Sequence, residues 1–108
     1  YREALDGLPL VLPAEPEGRR CVYHLYVIRT PERDRLREAL TREGIETGLH
    51  YTPPLHLQPA LEDQGGRAGD FPESERAAAE VLSLPMYPEL EEQQVRRIAG
   101  VIAKTLGA

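Results

Sequence analysis

The sequence predicts a small α/β (α+β) fold, a two-layer sandwich in which one small sheet carries helices on one face. Three observations lead there. Cys21 to Arg29 is rich in β-branched and aromatic residues, as a strand requires. Near the other end, Val95, Ile98, Ala99, Ile102 and Leu106 recur at helical spacing. Between these, proline-bracketed extended stretches alternate with helical ones. The order reads extended, strand, helix, strand, helix, strand, helix.

Residues 1–7 read as the end of a helix, with Tyr1 and Leu5 on one face and Gly7 as the stop. Residues 8–13 are apolar but bracketed by Pro9 and Pro13, which suits an edge strand or an extended linker. Ala14 to Arg20, with Pro16 and Gly18, is loop. The strand at 21–29 puts Val22, His24, Tyr26 and Ile28 on one face and Cys21, Tyr23, Leu25 and Val27 on the other. Both faces are largely apolar, so a central strand with a partly buried His24 is expected. A histidine in that setting is more often a hydrogen-bonded core residue than a ligand contact.

Thr30 and Pro31 suit a cap and a first turn. Leu36, Ala39 and Leu40 then form an apolar stripe, and Glu32, Arg33, Asp34, Arg35, Arg37, Glu38 and Arg42 a solvated face. Gly44 ends this helix, and residues 45–50 form a short strand. A brief helix over 55–63 is interrupted by Pro59, and 64–70 is a glycine-containing loop. Gly65, Gly66 and Gly69 do not make a phosphate cradle, because no strand precedes them in the required way. Phe71-Pro72-Glu73 opens a helix with acidic residues in its first turn and a seam of Ala77, Ala78, Val81 and Leu82. Residues 82–88 are extended. In the last helix Gly100 costs roughly 1 kcal/mol against alanine, which points to a close contact there.

A chain of 108 residues is of single-domain length. A net charge of −5 argues against a general nucleic-acid binder or an anionic-membrane binder. Cys21, the single cysteine, excludes an intrachain disulfide and fits a reducing cytoplasm. No apolar run approaches the roughly 20 residues that span a bilayer, and no signal peptide opens the chain. The first residues, Tyr1-Arg2, lack a methionine, so the chain reads as a piece of a longer protein.

Chemistry concentrates in His50-Tyr51-Thr52-Pro53-Pro54-Leu55-His56. Adjacent prolines make this a stiff extended turn. Stiff loops bearing His and Tyr are common sites of ligand contact, and equally common as plain surface turns; the residues alone leave both open. The three histidines, His24, His50 and His56, have no metal-site spacing. Ser74 and Ser83 lack a nucleophile signature, and Cys21 sits in an apolar strand. Neither a catalytic residue nor a metal ligand is therefore expected.

Several stretches carry a resemblance: 23–29, Arg33-Asp34-Arg35-Leu36, 44–51, 54–58, 71–75 and 81–88. In order and spacing they resemble the DegT/DnrJ/EryC1/StrS group of pyridoxal-phosphate-dependent sugar aminotransferases, over that family's C-terminal small domain only. The resemblance implies a small, mainly antiparallel sheet like that of the C-terminal domain of fold-type-I pyridoxal-phosphate transferases. It implies one domain over 1–108, with 1–20 as a lead-in from a large domain and 21–108 as the compact core. It further implies amino transfer, usually from glutamate, to a keto group of a nucleotide-linked deoxysugar, in a cytoplasmic homodimer. The cofactor and its Schiff-base lysine belong to the large domain. Lys104, the only lysine here, matches no cofactor motif. The chain alone is thus expected to bind no pyridoxal phosphate and to be inactive. His50, Tyr51 and His56 carry over as contacts of the substrate or cofactor pocket, and His24 with less weight. Two departures stand out: Thr52 where the family often has proline, and Glu91 where a capping Thr or Ser is common. A free-standing ligand-binding module and a dimerisation module are the alternatives.

Overall fold

The computed structural model describes residues 1–107. Its helices are α1 (Arg2–Leu5), α2 (Arg33–Arg42), α3 (Pro72–Glu80) and α4 (Glu92–Leu106), and its strands β1 (Tyr26–Arg29) and β2 (Val81–Leu84). Two 3-10 helices, Leu55–Leu57 and Pro59–Gln64, stand where a brief helix interrupted by Pro59 was expected.

The two strands pair antiparallel, with Ile28 opposite Leu82 and Tyr26 opposite Leu84. A single antiparallel bridge extends the sheet on each side: Val11 to Arg29, and Gly48 to Ser83. The expected strands at 8–13 and 45–50 thus contribute one paired residue each. So narrow a sheet has little stability of its own and depends on helix cover. Tyr26, Ile28, Leu82 and Leu84 supply that contact. They share one core with Leu36 and Leu40 of α2, Ile98, Ala99 and Ile102 of α4, and Leu5 and Ile45.

Local chemistry sets the boundaries. The expected strand from Cys21 is cut to Tyr26–Arg29. The Glu15 carboxylate takes the Cys21 N–H at 2.6 Å, and Tyr23 adopts a φ of 49° to lay its ring on Tyr26. His24 is therefore exposed rather than partly buried, and Val22 is exposed with it. Thr30 is buried, and its Oγ1 accepts the Glu32 N–H at 3.2 Å, so α2 begins only at Arg33. Gly44, at φ 71°, turns the chain out of α2. Before α4, Glu91 and Gln94 form a capping box, so a glutamate serves where Thr or Ser was the familiar choice.

Three further expectations are corrected. Arg33 is buried, not solvated; its Nη1 donates to the carbonyls of Ala78 (3.2 Å) and Val81 (3.1 Å). Gly100 is exposed, and a Cβ there would meet nothing within 4 Å, so no close contact explains it. The core does not begin at Cys21. Leu5 is 1% exposed, and Tyr1 Oη donates to the Pro85 carbonyl at 2.8 Å, so the first turn belongs to the packed unit.

Candidate functional site: a groove beside the sheet edge

The site grows from the Gly48–Ser83 bridge. Gly48 donates its N–H to the Ser83 carbonyl (3.0 Å) and accepts the Ser83 N–H (2.8 Å). Two residues on, the chain returns the His50 ring over Gly48, and His50 Nδ1 lies 2.8 Å from Ser83 Oγ. A Cβ on Gly48 would collide with His50 Cε1, so the imidazole occupies the space a side chain would fill. Tyr51 stands edge-on to it, rings 5.1 Å apart and 80° inclined, and is exposed. The peptide bonds His50–Tyr51 and Thr52–Pro53 are both cis. Gln58 Nε2 donates to the Pro53 carbonyl at 2.6 Å and ties the turn together.

These residues wall a groove of about 470 Å³ whose lining includes His50, Tyr51, Pro54, Gln58, Ser74 and Val81. A second groove, about 360 Å³, adjoins it across Leu55 and Ser74 and is lined by His56, Leu61 and Phe71. The His56 side chain is 9% exposed and packs on Phe71 at 4.9 Å. Its Nε2 is buried without a hydrogen-bond partner, 3.6 Å from Glu75 Oε1. Glu75 in turn accepts the Gly69 N–H on both oxygens, at 2.8 and 3.0 Å. His56 thus sits at the joint between the first 3-10 helix, the glycine loop and α3. A third groove, about 390 Å³, lies between Ile45, Pro85, Leu90 and Arg97. It includes none of the candidate residues, and Arg97 there donates to the Glu43 carbonyl at 2.6 Å.

Of the four residues singled out from sequence, His50 and Tyr51 come together. His56 lines the neighbouring groove, mostly enclosed. His24 lies on the loop before β1 and lines none of the three grooves. Ser83, Gly48, Gln58 and Glu75 went unnoticed as site residues. Ser83 had a signal: one hydroxyl inside the apolar run Val81–Leu84 must find a partner once the strand is buried.

The arrangement sets hydrogen-bonding groups between apolar walls. An imidazole, a phenol and an amide can meet the oxygens of a polar ligand, while the prolines, Leu55 and Val81 give apolar walls. Among the described residues, no cluster of three His, Cys, Asp or Glu side chains suits a metal ion. Lys104 is exposed in the last turn of α4 and lines none of the three grooves.

Residues 1–103 match the DegT/DnrJ/EryC1/StrS aminotransferase family. The chain belongs to this family. It is 47% identical to a pleiotropic regulatory protein of Geobacillus stearothermophilus, over 94% of this chain and 27% of that protein. It is 43% identical to a UDP-N-acetyl-3-dehydro-alpha-D-glucosamine 3-aminotransferase of Acidithiobacillus ferrooxidans, over 98% of this chain and 28% of that one. The crystal structure of Streptomyces venezuelae DesV in complex with a ketimine intermediate superposes with a TM-score of 0.91 at 39% identity, over 96% of this chain and 28% of that chain. The chain therefore spans little more than a quarter of the length of these DegT-family relatives. No helix among the described residues is long and apolar enough to cross a membrane.

Proposed function

We propose that this chain is the C-terminal small domain of a pyridoxal-phosphate-dependent aminotransferase. The intact enzyme moves an amino group from glutamate onto a keto group of a nucleotide-linked deoxysugar, as a cytoplasmic homodimer. The observation that carries the reading is the family match over residues 1–103, joined to relatives named for nucleotide-sugar amino transfer.

The residues of this chain do not fit pyridoxal phosphate as its covalent holder. The one amine side chain, Lys104, lies outside all three grooves, so a Schiff base needs a lysine from elsewhere in the intact enzyme. Bound there, the cofactor supplies the electron sink of transamination. This chain's share is recognition. His50 and Tyr51 offer hydrogen bonds to sugar or phosphate oxygens, and the prolines hold them at a fixed separation. His56 contributes from the adjoining wall and His24 lies apart.

The test is steady-state kinetics on the intact protein, with glutamate and UDP- or dTDP-linked ketosugars. Amino transfer is the expected result. His50→Ala then raises KM for the ketosugar roughly ten-fold, about 1.4 kcal/mol of lost binding, with kcat changed less than three-fold. An intact protein that neither takes up pyridoxal phosphate nor aminates a ketosugar would sink the reading.

A further inference from the structure

We infer that Ser83 is a positioning residue that fixes the tautomer of the His50 imidazole, with the ring proton on Nε2, so that the site presents a hydrogen-bond donor to an acceptor oxygen of its ligand. The tautomer follows from the geometry alone; its use in binding rests on the functional reading above.

Three observations combine. The Ser83 residue is 3% exposed, and its Oγ has one hydrogen-bond partner among the described residues, His50 Nδ1 at 2.8 Å. A buried hydroxyl hydrogen with no acceptor is costly. The hydrogen is satisfied only if Ser83 Oγ donates to Nδ1. An Nδ1 that accepts carries no proton, so in the neutral ring the proton is on Nε2. The second observation concerns that nitrogen. Among the described residues His50 Nε2 has no partner, yet it is not one of the sealed, unsatisfied side-chain atoms, a description that among those residues fits His56 Nε2. It therefore reaches the surface, in a residue that lines the groove beside Tyr51. The third is the slot. The ring lies where the Gly48 side chain would be, and Gly48 is itself locked to Ser83 by two backbone hydrogen bonds. One bridged residue pair thus sets both the position of the ring and its protonated nitrogen.

The ligand atom that meets Nε2 must accept a hydrogen bond: a phosphate, carbonyl or hydroxyl oxygen. A ligand ammonium or amide N–H at that point finds no acceptor and is disfavoured. The site therefore selects its ligand by polarity as well as shape.

The decisive measurement needs no ligand. Intact protein is labelled with 15N-histidine, His50 is assigned through His50→Gln, and the ring-nitrogen shifts are recorded above the imidazolium range of pH. A pure Nε2–H pattern is expected. Ser83→Ala is expected to give a mixture of both tautomers, and Ser83→Thr, which keeps the hydroxyl on a strand, to restore the pattern. Gly48→Ala is expected to shift the ring resonances with Ser83 intact. A wild-type Nδ1–H pattern, or a Ser83→Ala spectrum unchanged from wild type, overturns the inference even if the enzyme is a transaminase. Conversely, His50→Ala with wild-type kinetic constants defeats the binding role while the spectra still decide the tautomer. With the binding role intact, Ser83→Ala is expected to raise KM three- to ten-fold with kcat within two-fold.

Discussion

Arg33→Met separates a buried guanidinium from the helix exterior it was expected to join. The side chain leaves the first turn of α2 and ends between the exit of α3 and the start of β2, where Nη1 donates to the Ala78 and Val81 carbonyls. Ala78 is one of the last residues of α3, whose carbonyls lack partners within the helix. Its neighbours are served otherwise: the Ala77 carbonyl by the Val81 N–H, and the Glu80 carbonyl by the Thr30 N–H at 3.1 Å. Methionine keeps most of the buried stem and removes both donors. Hydrogen bonds from a charged donor contribute about 1.5–3 kcal/mol each, so the gross loss is about 3–6 kcal/mol. Relief from burying the charge offsets part of this. The contact with Asp34, whose side chain is 81% exposed, contributes little. A net loss of about 2–3 kcal/mol follows from those terms. Urea unfolding read by far-ultraviolet circular dichroism measures it as a lower midpoint at constant slope. Arg35→Met, at an exposed position of the same helix, is the control and should lose less than about 0.5 kcal/mol. If Arg33→Met unfolds within 0.5 kcal/mol of wild type, the guanidinium does not hold the junction between α3 and β2, and the reasoning fails.

Two more perturbations test the core and its edge. Ile28→Ala and Ile98→Ala, on β1 and α4, each remove a buried side chain and should cost about 2–5 kcal/mol in the same assay; a loss below half a kcal/mol at both would place the core elsewhere. Burial pushes the Tyr1 phenol well above its ordinary value, with Tyr87 and Tyr26 beside it adding to the effect. The folded chain then keeps a proton that the unfolded chain gives up near pH 10. The resulting stabilisation is complete below that pH and is lost as pH rises toward the folded-state value. Stability should decline from about pH 9.5 upward, and less steeply in Tyr1→Phe; equal slopes for the two proteins would refute it.

Much of the fold was legible because it rests on periodicity. Val95, Ile98, Ala99 and Ile102 announce α4 without help from the rest of the chain, and Leu36 with Leu40 does the same for α2. Where the reading failed, a side chain distant in sequence or a local polar bond took over. Val81 follows α3 with no glycine or proline to mark the change; the helix stops at Glu80 because Val81 pairs with Arg29 and because Arg33 and Thr30 collect the exit carbonyls. Cys21 to Leu25 has strand composition, yet the Glu15 carboxylate and the turned backbone at Tyr23 divert it. The site was legible as a stretch and not as a geometry. Nothing near His50 in sequence names Ser83, 33 residues away, and nothing near His56 names Glu75.

Between Ile45 and Ala78 no residue is buried, although this interval holds His50, Tyr51, the proline turn, both 3-10 helices and His56. The loop that carries the candidate residues is thus nearly free of core duty. The Gly48–Ser83 bridge, the His50–Ser83 hydrogen bond and the Ile45 and Ala78 ends moor it. Loop closure grows slowly with length, about 0.6 kcal/mol for each doubling, so insertions beyond Gln58 weigh little on the fold. Mutational drift there can reshape the grooves while the sheet and its two long helices stay as they are. A lineage can rewrite this interval and keep its scaffold, and grafting 51–70 between relatives is the corresponding route for the engineer.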